Sequence, residues 1–208
     1  MLNEQFVEQD AEGTRPDDPV AALPTIPGTD GPHGSPIRPW IESDSLGSME
    51  IPADALWGVE TARALENFPI SRRPISVYRD LIRALGRVKQ TTARANKELG
   101  VLDAAEADLI ERACEEILGG ALHEEFAVGA IKGGAGASTD MNTMVVIANR
   151  GLEMLGYELG DYSHVHPLDD VNRSQSTNDV YPTATKLAMA FGVKRPLKEH
   201  RLLSESFR

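Results

Sequence analysis

Two short runs carry the residue types most able to do chemistry. They are "GGAGASTD" at 133–140 and "SQSTND" at 174–179. Each sets Ser-Thr followed by Asp or Asn just ahead of an apolar-periodic segment. A helix N-terminus exposes unpaired N–H groups and the positive end of its dipole, so it can hold an anion. Ser and Thr hydroxyls and the Asn amide add donors with little entropy to lose. The glycines of the first run permit positive φ and close backbone approach. Ordinary capping is the competing account, because Ser, Thr, Asp and Asn are preferred N-caps. Two runs with more donors than caps require favour a small-anion site. No Gly-Lys-Ser/Thr ending follows either run, so neither is a P-loop.

Other combinations are weaker. His164 and His166 with Asp161 and Asp169 could be drawn as metal ligands, but they lie in a Pro-containing loop with no further His or Cys cluster. No metal is expected. Ser48 has no His/Asp partner pattern and is read as part of a hairpin turn. Cys114 falls mid-helix and reads as a small packing residue. Trp57 and Phe68 read as core aromatics.

The elements that must position these residues are mainly helical. "IESDSLGSMEIPADALWG" predicts a small β-hairpin around Gly47 and Pro52. Residues 79–99 predict an amphipathic helix with Leu81, Leu85, Val88, Ala95 and Leu99 inward and Gly100 as its stop. Residues 103–118 predict a second helix. Asp103 and Glu106 form its capping box, Leu109, Ile110, Ala113 and Ile117 its inner face, and Gly119-Gly120 its end. Residues 141–155 predict a third, with Met144, Val145, Ala148, Leu152 and Leu155 inward. A fourth is predicted to start near Ser176 and run to the end of the sequence. Pro182 is tolerable in its first turns, whereas Pro196 is expected to kink or break it.

Composition sets the limits. With 208 residues there is room for one domain and part of another. A net charge of −11 argues against nucleic acid or an anionic membrane as the main partner. A single cysteine excludes an internal disulfide and suggests a reducing, cytoplasmic compartment. No apolar run of transmembrane length occurs. Residues 1–38 are acidic and proline-rich without a hydrophobic period, and are expected to be a disordered tail rather than a signal peptide.

Four stretches resemble the aspartase/fumarase (fumarate lyase) superfamily, and the aspartate ammonia-lyase branch most closely. They are "SLGSMEIPADALWGVETARALENFPIS" (45–71), "RANKELG" (94–100), "KGGAGASTDMNTMVVIANRGLEMLG" (132–156) and "HPLDDVNRSQSTNDVYPTA" (166–184). The resemblance implies a mainly α fold. Residues 39–175 would be the N-terminal domain, a small hairpin plus helices, and 176–208 the start of the central long-helix bundle. It implies a full-length homotetramer whose active sites draw on three subunits. The reaction implied is reversible anti elimination, giving fumarate from L-aspartate with loss of ammonia. It needs no cofactor, and its partner is a small dicarboxylate or amino acid.

The same resemblance makes Ser176, Thr177 and Asn178 substrate-carboxylate contacts. Ser138, Thr139 and Asp140 form the partner run, and His166 and Asp169 belong to a secondary anion site. This chain departs from the family pattern at several places. Ala137 stands where a substrate-contacting Thr is usual, Asp140 where Asn is usual, Val145 where Glu is usual, and Leu168 where Asn is usual. An ionised Asp140 facing a dicarboxylate would add repulsion in place of a donor. The family's catalytic serine loop, "GSSxMPxKxN", does not occur in the sequence. The leading expectation is therefore an aspartase-like N-terminal fragment, inactive alone. The alternatives are a non-catalytic paralogue or binding subunit, and a fumarase-like lyase or one acting on an N-substituted or amidated aspartate.

Overall fold

A computed structural model describes residues 39–207. The expected acidic tail, residues 1–38, lies outside the described residues. The described residues open on an antiparallel hairpin of β1 (Trp40–Asp44) and β2 (Gly47–Ile51), in register from Trp40–Ile51 to Asp44–Gly47. Gly47 takes a φ of 121°, open to glycine and strained for other residues. Asp44 accepts the Leu46 amide inside the turn and a bidentate pair of bonds from Arg63. That pair ties the hairpin to α1 (Val59–Asn67).

Four longer helices follow: α2 (Arg79–Glu98), α3 (Ala104–Gly119), α4 (Ala137–Leu155) and α5 (Thr177–Ser206). The mainly α architecture with one small hairpin is the expected one. Asp103 caps α3 by accepting the Ala105 amide, and Gly120, at φ 95°, closes it.

The inner face of α2 differs from the apolar spacing. Leu85 is buried, but Ala95 and Leu99 are exposed. Beside Leu85 the helix turns inward Ile82, Ala84, Gly86, Lys89, Gln90, Ala93 and Asn96. Lys89, Gln90 and Asn96 are polar; Lys89 and Asn96 bond across the fold, whereas Gln90 accepts from Arg87 of the same helix. Asn96 Nδ2 donates to the Arg173 carbonyl at 2.8 Å, holding the loop that leads into α5. A search for apolar periodicity misses a face built partly from hydrogen bonds.

α4 is the central element. Every residue from Thr139 to Asn149 except Met141 is buried. Its polar members stitch the loops around it. Asn142 donates to the Glu125 carbonyl, and Asn149 bridges the Leu56 carbonyl and the Gly160 amide. Leu155, expected inward, is exposed at its end. α5 packs Val180 and Ala184 into the core and then runs outward. It continues through both Pro182 and Pro196, so the expected break at Pro196 does not occur. Pro196 is exposed, where water can satisfy the carbonyl that its missing N–H leaves free. No described helix is long and apolar enough to cross a membrane.

Candidate functional site

The helix α4 starts four residues earlier than its apolar period suggests. Gly134, Ala135 and Gly136 all adopt positive φ, at 81°, 50° and 94°. This sharp loop aims the Gly136 carbonyl at the amides of Thr139 and Asp140, each 3.0 Å away. Ser138, Thr139 and Asp140 are therefore the first turn of α4, not a lead-in to it. No side chain caps this helix, so capping does not explain the run. Ser138 is half-buried, whereas Thr139 and Asp140 are fully buried and do not reach the open surface.

The second run behaves differently. Ser176 is the N-cap of α5 and its Oγ accepts the Asn178 amide at 3.2 Å. Here the capping account holds for one residue of the run. Ser176 and Asn178 are exposed and Thr177 is half-buried.

The fold brings the two runs into contact. Thr177 Oγ1 donates to Asp140 Oδ2 at 2.9 Å. One turn further on, Tyr181 lies against Gly136 so closely that a β-carbon there would fall inside the ring's van der Waals envelope. The N-termini of α4 and α5 thus meet. Ser138, Ser176, Thr177 and Asn178 occupy the accessible part of this junction.

Sequence reasoning missed the residue beneath it. Lys89 of α2 is fully buried and places its Nζ 2.9 Å from Asp140 Oδ1. The same ammonium donates to Asn172 Oδ1 at 2.7 Å. Burial pulls the Lys89 pKa below the usual lysine value, and the charge and hydrogen bond of Asp140 oppose that shift. A buried acid with no neutral partner needs a cation. Asp140 was thus the available signal, and a lysine one turn from both Leu85 and Ala93 was the place to look.

Cys114 packs nearby and is fully buried. Desolvation pushes its thiol up to about 12 despite the nearby Lys89 charge. Iodoacetamide should therefore modify Cys114 only in denaturant. Modification of the native chain at the denatured rate would contradict this packing role.

Comparison with known proteins gives this junction its context. A family model described as lyase matches residues 47–207. The chain belongs to that lyase family. Aspartate ammonia-lyase from Pseudomonas canavaninivorans is 50% identical over 151 residues, covering 73% of this chain and 32% of that protein. Fumarate hydratase class II from Halobacterium salinarum is 50% identical over 147 residues, 71% of this chain and 31% of that protein. Among solved structures, the fumarate lyase:delta crystallin of Brucella melitensis matches with a TM-score of 0.72 and 49% identity. That match covers 74% of this chain and 36% of the other. The chain spans about a third of the length of the curated relatives it matches.

Of the expected secondary anion residues in this lyase-family chain, His166 is half-buried and Asp169 is exposed. The backbone amides of Leu168 and Asp169 donate to His166 Nδ1 at 3.2 and 3.1 Å. His166 thus caps the short π-helical turn Pro167–Val171. Nδ1 also lies 3.5 Å from Asp169 Oδ2. The Asp169 side chain points largely into solvent. His164 stacks on Tyr157 at 3.6 Å, away from the role of His166. No group of three or more His, Cys, Asp or Glu able to hold a metal occurs among the described residues.

Proposed function

We propose that this chain supplies the carboxylate-binding part of an aspartase-like lyase that eliminates ammonia from an aspartate-type substrate to give fumarate. The observation that carries the reading is the junction itself. Two polar first turns meet at the Asp140–Thr177 bond, with Ser138, Ser176 and Asn178 on the accessible side. Removing the proton beside the β-carboxylate sends the C–H electron pair towards that carboxylate, building a dianion. The C–N bond then breaks, the double bond forms and ammonia leaves. Donors aimed at a carboxylate lower the barrier because its charge grows in the transition state. Ser176 and Asn178 would do this, with help from the positive end of the α5 dipole.

The "GSSxMPxKxN" run associated with the base is absent from these 208 residues, so proton abstraction is assigned to a residue outside them. The exposed apolar residues Met189, Val193, Leu197, Leu202 and Leu203 of α5 support a role in a helical bundle between subunits, as in a cytoplasmic homotetramer. α5 would then open the central helical domain.

Complementation tests the reading. The purified chain should form no fumarate from L-aspartate, judged by ultraviolet absorbance. Mixed with an aspartate ammonia-lyase deleted for the matching region, it should restore fumarate formation. Ser176→Ala should lower the restored rate about tenfold or more. Turnover by the chain alone would contradict the assignment of the base. A restored rate indifferent to Ser176→Ala would contradict the site.

A further inference from the structure

The bond between Asp140 and Thr177 has a direction, and the direction constrains what the site can bind. Asp140 and Lys89 are both fully buried, 2.9 Å apart, so Asp140 is held as a carboxylate by the ammonium beside it. An ionised carboxylate has lone pairs and no proton. The 2.9 Å contact to Asp140 Oδ2 must therefore use the proton of Thr177. A hydroxyl has only one. Thr177 Oγ is left with lone pairs alone to present at the open side of the junction. Ser176 is in the opposite state. Its Oγ accepts the Asn178 amide and keeps its proton to give. An Asn at position 140 would donate its amide N–H to Thr177 and leave the Thr177 proton free for a carboxylate.

We propose that Asp140 is a positioning residue that reverses the hydrogen-bond polarity of Thr177, so that this site prefers a ligand presenting an N–H over one presenting a second carboxylate. The ligand class is the half-amide or N-substituted form of a dicarboxylic acid. Its carboxylate meets Ser176 and Asn178, and its N–H meets Thr177. This rests on the carboxylate-site reading above. Lys89 neutralises Asp140, so the selection acts through the hydroxyl rather than through bare repulsion. A carboxylate oxygen placed against Thr177 would face lone pairs, a buried mismatch that weakens binding by roughly tenfold or more.

Two measurements on the full chain decide it. The first needs no ligand. With carboxyl-labelled Asp, NMR at neutral pH should put Asp140 Cγ at the shift of an ionised carboxylate. The Thr177 hydroxyl proton should be protected from exchange. A protonated Asp140 would overturn the polarity claim. The second compares succinate with its half-amide, succinamate, by NMR titration. Wild type should favour succinamate roughly tenfold, and Asp140→Asn should equalise or reverse the order. The double variant Lys89→Met/Asp140→Asn should behave the same way without leaving a buried lysine uncompensated. The same preference in wild type and both variants would overturn the proposal. Binding of neither ligand to any form would overturn the ligand assignment together with the carboxylate-site reading, while the first measurement still decides the polarity.

Discussion

Replacing Lys89 by methionine is expected to destabilise the chain by about 3–5 kcal/mol, because it leaves the Asp140 charge buried and unpaired. Methionine roughly matches the lysine stem in volume, so little of the loss would come from a cavity. Asn172 also loses its 2.7 Å donor, which loosens the loop entering α5. The diagnostic comparison is the double variant Lys89→Met/Asp140→Asn. Neutralising both partners removes the desolvation cost along with the attraction, so most of the lost stability should return. Urea unfolding midpoints of wild type, both single variants and the double variant give the coupling directly. Additive losses would mean that Lys89 and Asp140 do not act as a pair.

Gly136→Ala carries the second large effect. An L-residue at φ 94° costs about 1–2 kcal/mol in backbone energy alone. The new methyl group would also overlap the Tyr181 ring, so α4 and α5 must separate or Tyr181 must move. A total loss of about 2–4 kcal/mol is expected. Gly119→Ala is the control. That glycine is exposed at the end of α3, with negative φ and open space around it, so its change should stay within about 0.5 kcal/mol. Tyr181→Ala should remove the steric part of the Gly136→Ala cost and leave the backbone part. Equal costs in both backgrounds would show that the two helix starts are not in contact.

The fold was largely legible in the sequence because its local signals agree with its packing. Asp103 and Gly120 bound α3 as their residue types indicate. Gly47 and the alternation around it give the hairpin. What failed was any inference that equated an inner face with an apolar one. Lys89, Gln90 and Asn96 are buried on α2, and the partners of Lys89 and Asn96 lie on segments more than seventy residues away or on α4. A periodicity window has no access to such distant pairings. The start of α4 was misplaced for a related reason. Ser138, Thr139 and Asp140 look like linker residues, yet the positive φ at Gly136 lets the helix begin before them. Chemistry-bearing residue types were thus found at 138–140 and 176–178, but the partner that fixes the charge state of Asp140 was not.

The most direct test of the central claim is an NMR titration of the full chain with a small dicarboxylate, followed residue by residue through the backbone amides. The account predicts that the amides of Ser138, Ser176, Thr177 and Asn178 shift together along one binding curve, since the two first turns form one site. Shifts confined to one of the two runs, or centred elsewhere on the chain, would contradict it.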